Sequence, residues 1–394
     1  MRNLLRWGVL LTVALHGLIH LLGAAKGLRW ADVPALKAPI STVAGFGWLA
    51  AAALMLVTAG LAARHVDGWW WAAVPAVVVS QIVIVTSWSD ARTGSLANVL
   101  LALAAGHGYA AHGPGSLRAR YHREVETALA LTAPPHRLPA GPVTEADLDP
   151  LPACVARYLR RSGVVGQPRI DSFRAAIHGR IRGGATQRWM PFTGEQVNTY
   201  GPEPTRQFFI DATRSGLPVD VLHVFSHGHA SMQVRLCSVL PLVDAQGPDL
   251  DRAETVTVFN DLCVLAPAAL VDAPVAWETL GDRTARGAYT LGRRTIVADL
   301  TFNAADELVD FVSDDRSVAS ADGRTFTPRR WSTPLQRYRD VGARHVAVDG
   351  EARWHATGTD GEFSYLDFHV DQIDDDVQPR DAVVPSAGQH APAL

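Results

Sequence analysis

Four long stretches without Asp, Glu, Lys or Arg constrain this chain more than any other feature. They are rich in Leu, Ala, Val and Ile and lie at residues 7–25, 38–63, 68–89 and 93–117. A helix of about 20 apolar residues crosses a bilayer, and only a helix satisfies its own backbone hydrogen bonds there. Residues 1–117 are therefore predicted to form a multi-pass membrane bundle of four helices.

Charge divides the chain at the same place. Residues 1–117 hold seven basic and three acidic residues, whereas the remainder holds 29 arginines and 36 acids. Such an asymmetry indicates two regions in different solvents. The acidic second region argues against nucleic acid as a partner, because phosphate binding needs clustered cations. The partner that the sequence does indicate is the lipid bilayer; it gives no sign of which proteins bind.

The distribution of cations predicts the orientation in the membrane. Four crossings place both chain ends on one side, together with six cations: Arg2, Arg6, Arg64, Arg118, Arg120 and Arg123. The opposite side has four: Lys26, Arg29, Lys37 and Arg92. Positive charge accumulates on the cytoplasmic side. The soluble domain is therefore predicted to be cytoplasmic.

Three further segments follow the bundle. Residues 118–142 are typical of an amphipathic segment and a Pro-rich linker, and residues 377–394 of a disordered tail. Between them, residues 143–376 show short runs in which apolar and polar side chains alternate, as in 295–302, and one strong helix near 251–264. Alternation indicates strands with one wet face, and tight turns between them favour antiparallel pairing. The prediction is a soluble α+β domain with a curved antiparallel sheet.

Polar side chains within the spans form one candidate site. His16 and His20 share a helix face, and the depths of Gln81 and His107 on other spans place them nearby. Ionisable groups in a membrane usually face a bundle interior. The functional interpretation is a metal, haem or quinone site or a proton relay. The alternative is two neutral imidazoles hydrogen-bonded to neighbouring helices.

The carboxylates of the helix near 251–264 form a second candidate. Asp251, Glu254 and Asp261 fall on roughly one helix face. Paired carboxylates act as general acid and base or hold a cation. The alternative is a solvated face whose first acids complement the helix N-terminus. No Walker loop, nucleophile elbow, dinucleotide fingerprint or zincin motif occurs, so no catalytic motif supports an enzyme.

Neither a metal site nor a cofactor is predicted. The three cysteines are far apart and form no CxxC pair. His223, His227 and His229 cluster around a predicted hairpin, and we expect no acid near them. Surface histidines at a turn are the simpler interpretation.

Large aromatic side chains in the strand-rich region suggest where a ligand binds. They are Trp189, Phe192, Phe209 and Trp331. Core packing explains them first. The alternative is a sheet curved around an apolar pocket of lipid size, lined by side chains of one strand face.

Several short motifs resemble an uncharacterised bacterial family of membrane-anchored proteins. They are HGLIH (16–20), SWSDAR (87–92), WMPF (189–192), FNDLC (259–263), FVSDDR (311–316) and RWSTP (330–334). The resemblance covers nearly the whole chain. It implies four N-terminal membrane helices, a soluble domain and a place in the bacterial inner membrane, and it brings no activity and no catalytic residues.

A second resemblance concerns the fold alone. The succession of strands and turns in 295–316 and 344–373 is similar to that of lipoprotein-carrier half-barrels of the LolA type. Those carriers bind acyl chains on a curved antiparallel sheet and work outside the cytoplasm, which conflicts with the cation count.

Three functions remain open from the sequence. The first is a soluble domain that binds a lipid or another apolar molecule near the membrane. The second is a membrane enzyme, or a redox or metal protein, that uses the His16/His20 cluster or the carboxylates of 251–261. The third is a membrane-tethered interaction module without chemistry.

Overall fold

The computed structural model describes residues 2–131, 141–320, 322–342, 344–355 and 361–377. The chain divides into two compact units: Met1–Ala119 with Cys237–Val239, and Arg120–Leu236 with Leu240–Leu394. The predicted Pro-rich linker falls largely on residues 132–140 and the predicted tail on 378–394. Both lie outside the described residues.

The first unit is helical. Its elements are α1 (Arg2–Gly27), α2 (Thr42–Ala63), α3 (Trp69–Thr86), α4 (Trp88–Ala91), α5 (Gly94–His112) and the start of α6 (Leu117–Leu131). Among the described residues, three helical segments are long and apolar enough to cross a membrane: Trp7–Gly27, Thr42–Ala63 and Trp69–Thr86. The fourth predicted span forms α5, which is not among them because Asn98, His107 and His112 lower its hydropathy. The four-helix membrane bundle therefore stays a prediction.

Glycines allow α1 and α2 to approach closely. A Cβ on Gly27 would lie 2.6 Å from the Cα of Gly45, so only glycine fits at this crossing. Four residues earlier, Gly23 leaves room for the ring of Trp48. The Trp48 ring lies 5.0 Å from that of His20. The packing of these two helices thus fixes where one predicted site histidine lies.

The second unit is built on strands. Its helices are the rest of α6, a 3-10 turn (Glu145–Leu148), α7 (Ala153–Arg161), α8 (Pro248–Val264) and α9 (Pro267–Leu270). The strands up to α8 are β1 (Ser172–Ile181), β2 (Met190–Thr199), β3 (Thr205–Arg214), β4 (Leu217–Ser226), β5 (His229–Leu236) and β6 (Leu240–Gln246). Those after α9 are β7 (Val275–Gly281), β8 (Thr284–Leu291), β9 (Arg294–Phe302), β10 (Leu308–Ser313), β11 (Ser317–Ala319), β12 (Phe326–Pro328), β13 (Arg330–Ser332), β14 (Tyr338–Val341), β15 (Arg344–Ala347), β16 (Asp349–His355) and β17 (Glu362–Asp375).

Thirteen of the described strands form one antiparallel sheet, which confirms the predicted sheet type. Its order is β6-β5-β4-β3-β2-β1-β17-β16-β13-β10-β9-β8-β7. The edges, β6 and β7, are the strands that flank the α8–α9 segment in the chain. The first and last strands pair in the middle of the sheet, where Phe173 lies opposite Asp375. Two small ribbons, β11 with β12 and β14 with β15, complete the unit.

The sheet curves around α8. This helix contacts β5 and β6 near one edge and β9 and β10 near the other. In a flat sheet β5 and β10 would be about 38 Å apart, because neighbouring strands lie about 4.8 Å apart. A helix of 17 residues is only about 25 Å long. The sheet therefore has a concave face that encloses α8.

Aromatic contacts hold α8 in the concave face. Phe259, which is fully buried, stacks on Tyr289 of β8 at a ring distance of 5.3 Å and meets Phe311 of β10 edge-on at 5.4 Å. The convex face packs on α6. There the Tyr121 hydroxyl donates to Glu195 at 2.9 Å, and the Tyr121 ring lies 6.0 Å from that of Phe209. A helix thus packs against each face of the sheet.

Candidate functional site

A cavity of about 130 Å³ lies between the concave face and α8. Its apolar lining includes Ile177, Ile181, Phe192, Phe208, Ile210 and Leu366. Its polar lining consists of Gln196, Arg206, His223, Glu254, Thr257, Asn260, Asp261, Arg316, Thr333 and Tyr365. Ile181 and Leu366 are only partly buried, so the cavity approaches the surface at the end where these two residues pair.

Strand pairing explains why the polar side chains of the sheet converge. Gln196 of β2 lies opposite Phe208 of β3, which in turn lies opposite His223 of β4. Arg206 precedes Phe208 by two residues and so shares its face. On α8, Glu254 and Asp261 are seven residues apart, which is close to two turns. Both carboxylates therefore point toward these strands.

A buried ion network occupies this polar region. Arg206 donates from Nη1 to Glu254 Oε2 at 3.1 Å and from Nε to Asp261 Oδ2 at 2.8 Å. The same Asp261 oxygen accepts from Gln196 Nε2 at 2.7 Å and from Asn198 Nδ2 at 3.0 Å. Buried charges persist when they are paired and hydrogen-bonded in this way.

The alternative of a solvated carboxylate face is wrong. Asp251, Glu254 and Asp261 are 5%, 3% and 6% exposed, because the curved sheet surrounds α8. Asp251 belongs to another group of contacts: it accepts from the Ala230 amide at 2.7 Å and lies 3.4 Å from Arg294. Only Glu254 and Asp261 line the cavity.

The protonation states in the cavity follow from burial and from the two arginines. Burial lowers the pKa of His223 to about 4, so this imidazole is neutral at pH 7. Burial favours protonation of Glu254, but the charges of Arg206 and Arg316 outweigh it and hold the pKa of Glu254 below its ordinary value. At Asp261, burial outweighs the attraction of Arg206 and raises the pKa. The two carboxylates that contact Arg206 thus have pKa values shifted in opposite directions.

Four residues of the cavity lining carry buried polar atoms without a hydrogen-bond partner in the described part of the chain. The atoms are His223 Nδ1, Asn260 Nδ2, Arg316 Nε and Thr333 Oγ1. Asn260 and Thr333 are 6% and 2% exposed, and the side chain of Arg316 is 10% exposed. About 90% or more of buried polar groups in native proteins are paired. Four unpaired atoms around one cavity therefore distinguish it from the rest of the core.

Two of the four aromatic residues suggested by the sequence line the cavity. Phe192 does so from β2, and Trp331 does so from β13 with the guanidinium of Arg316 4.4 Å above its ring. Trp189 lies elsewhere, and the guanidinium groups of Arg180 and Arg182 are 4.7 and 4.4 Å from the centre of its ring. Phe209 points to the convex face, since its neighbour Phe208 points inward. Contact of Phe192 and Trp331 with a ligand stays a prediction.

The three histidines near the β4–β5 hairpin have different surroundings. His223 faces the cavity, while His227 lies 2.9 Å from Glu203 and His229 lies 3.1 Å from Asp251. The expectation that no acid lies near them is wrong, because the fold brings Glu203 of the β2–β3 loop beside His227 and Asp251 of α8 beside His229. Within the described ranges, no group of three or more His, Cys, Asp or Glu side chains is arranged to hold a metal ion.

The first unit contains a separate polar network. Ser80 of α3 lies 2.8 Å from His20 Nε2 and 3.3 Å from His16 Nε2, and it donates to Asn98 of α5 at 2.9 Å. Asn98 donates in turn to Gln81 at 3.0 Å. His16 and His20 also line a cavity of about 270 Å³ beside Trp48 and Asp90.

His107 does not join that network. It is exposed and follows Asn98 by nine residues on α5, a displacement of about 13 Å along the helix. The sequence interpretation placed it with the other histidines by depth alone. Ser80 and Asn98, which connect the network, are not among the residues predicted from the sequence.

Solved structures similar to this chain include two bacterial proteins. One is a domain from Vibrio parahaemolyticus described as an outer membrane lipoprotein-sorting protein, and the other is a DUF1329 family protein from Desulfovibrio piger. Each is 9% identical with a TM-score of 0.33; the alignments cover 58% and 60% of this chain and 95% of each of those chains. At such scores neither likeness carries an argument about function. No curated protein matches the chain significantly.

A family model does match. It is described as a family of unknown function, DUF6544, and it aligns with residues 141–368. That range is more than half of the chain and includes every residue that lines the cavity beside α8. The predicted resemblance to a family of unknown function is therefore confirmed over residues 141–368. This chain belongs to the DUF6544 family.

Proposed function

We propose that this chain is a multi-pass protein of the bacterial inner membrane, and that its second unit binds a lipid or another apolar molecule in the cavity beside α8. The observation that carries the proposal is the apolar part of the cavity's lining, which adjoins a cluster of buried polar groups. Ligand sites are typically apolar pockets with a few convergent polar groups. The partial exposure of Ile181 and Leu366 supplies a route of entry.

The size of the cavity bears on which part of a ligand it holds. A closed apolar cavity of about 150 Å³ holds benzene, so about 130 Å³ suits the end of an acyl chain and its neighbouring atoms better than a whole lipid. The remainder of such a ligand would leave past Ile181 and Leu366. A membrane anchor keeps the unit where molecules of this kind are concentrated.

Filling the cavity tests the proposal. Ala352 lines the cavity and is 3% exposed, so Ala352→Phe places a ring in the space that the ligand needs. We expect the affinity of full-length protein in nanodiscs for a dansyl-labelled undecanoic acid to fall at least about tenfold, the effect of losing one well-packed contact. Fluorescence titration measures it.

The matched control is Thr193→Phe, which adds the same ring at an exposed position of β2. It should bind the probe as the wild type does. Equal binding by wild type, Ala352→Phe and Thr193→Phe, with equal melting temperatures, would show that the probe does not use this cavity.

We also propose a second candidate site in the first unit, supported by the cavity of about 270 Å³ beside His16 and His20. Imidazoles are common ligands of transition metals and haem. We expect metal or a visible absorbance band to accompany the purified full-length protein and its His107→Gln variant, and to be lost from His16→Gln/His20→Gln. Elemental analysis and absorbance spectra measure this. The same empty spectrum and metal content in all three proteins would refute the candidate.

A further inference from the structure

The unpaired atoms around the cavity beside α8 are mostly hydrogen-bond donors. The Asn260 Nδ2 and Arg316 Nε groups donate only, and the Thr333 hydroxyl both donates and accepts. These atoms belong to residues from α8, from the loop after β10 and from the segment after β13. Because buried donors are normally satisfied, three independent chain segments that aim unsatisfied donors into one cavity indicate a ligand with acceptor atoms.

The charges of the two arginines in the cavity indicate which acceptor group the ligand carries. The guanidinium of Arg206 is already engaged by two carboxylates, at 3.1 and 2.8 Å. Arg316 is held less tightly: its Nη2 forms an ion pair with Oε1 of Glu254 at 3.7 Å, beyond hydrogen-bond distance. Its plane rests on the ring of Trp331 at 4.4 Å, which holds it in place and leaves Nε–H free. One available arginine with two neutral donors fits one carboxylate better than a phosphate, which carries more charge.

We propose that Arg316, Asn260 and Thr333 bind the carboxylate of a fatty-acid-like ligand whose chain lies against the apolar lining of the same cavity. This inference rests on the proposed function, because it names the head group of the molecule that the cavity holds. The apolar residues Ile177 and Phe208 line the same space as the three donors. A ligand with a polar head and an apolar chain therefore matches both parts of the lining.

A pair of ligands that differ only in the head group tests the inference. Oleic acid and methyl oleate are titrated against the dansyl-labelled probe on full-length protein in nanodiscs, at about pH 8, where the acid is ionised. We expect wild-type protein to bind the acid more tightly than the ester by at least about tenfold, the usual effect of a buried hydrogen bond to a charged group. Arg316→Met should bring that ratio close to one.

The matched control is Arg330→Met, at an arginine whose side chain is 53% exposed and 3.8 Å from Asp314; it should keep the wild-type ratio. Equal binding of acid and ester by wild type would overturn the carboxylate site while leaving apolar binding intact. Failure of both ligands to displace the probe would instead overturn the proposed function.

Asn260→Leu separates a ligand-binding role from a structural one. Replacing an unsatisfied buried donor by an apolar side chain of similar size should leave the melting temperature of the ligand-free protein unchanged or raise it, while the acid-to-ester ratio falls. A lower melting temperature with an unchanged ratio would mean that Asn260 serves the fold, and would count against the proposed site.

Discussion

At the residue scale, Arg206 determines whether the polar part of the cavity is stable. Its side chain is 8% exposed and is the closest cation to both Glu254 and Asp261. Its position was predictable in principle, since it shares a strand face with the apolar residues Phe208 and Ile210 of β3. An arginine on the apolar face of a strand needs a buried partner. The sequence alone does not identify the partners, which are Glu254 and Asp261 of α8, 48 and 55 residues away.

Removing this cation tests the network. Arg206→Met leaves Glu254 and Asp261 buried without it, and loss of one partner of a buried ion pair costs about 3–5 kcal/mol. We expect a clearly lower unfolding temperature for the sheet unit in detergent-solubilised full-length protein, followed by circular dichroism of the strands.

Two further variants test whether the buried charges cause the loss of stability. Arg160→Met removes an arginine that is 45% exposed and pairs with Glu145, and it should change stability by about 1 kcal/mol or less. Arg206→Met/Glu254→Gln/Asp261→Asn removes the uncompensated charges as well and should recover much of the loss. A triple variant no more stable than Arg206→Met would contradict the role assigned to charge.

At the scale of elements, alternation predicted most of the long strands but missed β2, β6 and β7 for identifiable reasons, and it also missed β11 to β14, which are only three or four residues long. Strand β2 carries Gln196 and Asn198 on its buried face, so its polarity pattern is inverted around the cavity. Strand β6 contains Pro241, which is tolerated because β6 is an edge strand. Strand β7 is the other edge and is mostly exposed. The sequence thus predicted the long interior strands and failed at the edges, at the site and at strands of three or four residues.

The exposed surface of α5 indicates whether this helix crosses the membrane. Leu96, Val99 and Leu103 are spaced along one helix face and are 75%, 56% and 68% exposed, whereas Asn98 is buried in the polar network. An apolar outer face with polar groups turned inward is typical of a membrane-crossing helix in a bundle. We therefore expect α5 to cross the membrane as the fourth span.

Cysteine labelling measures that crossing. In a Cys237→Ser background, Asp322→Cys should resist a membrane-impermeant maleimide in intact spheroplasts and react after permeabilisation. Asp32→Cys, in the exposed loop between α1 and α2, should react in both conditions. Reaction of both cysteines in intact spheroplasts would mean that α5 does not cross and that the sheet unit faces outward.

At the scale of the whole molecule, the sequence predicted a helical region followed by an antiparallel sheet, but it offered a pocket only as an alternative to core packing and identified only two of the cavity's lining residues, Phe192 and Trp331. The cavity's lining comes from seven strands, one helix and the loops between them. Most of these residues, such as Ile177 and Leu366, are ordinary core residues when considered within their own strand. These residues come together only when the sheet curves around α8. That curvature depends on contacts between distant parts of the chain.

The pairing of β1 with β17 has a consequence for biosynthesis. Strands β1 to β6 form one half of the sheet and are synthesised before the strands of the other half. Strand β17, which joins the two halves, is synthesised after both. Until then, each half exposes an unpaired inner edge to any neighbouring chain. Newly made polypeptides thus depend on rapid completion, or on a chaperone, until residues 362–375 arrive.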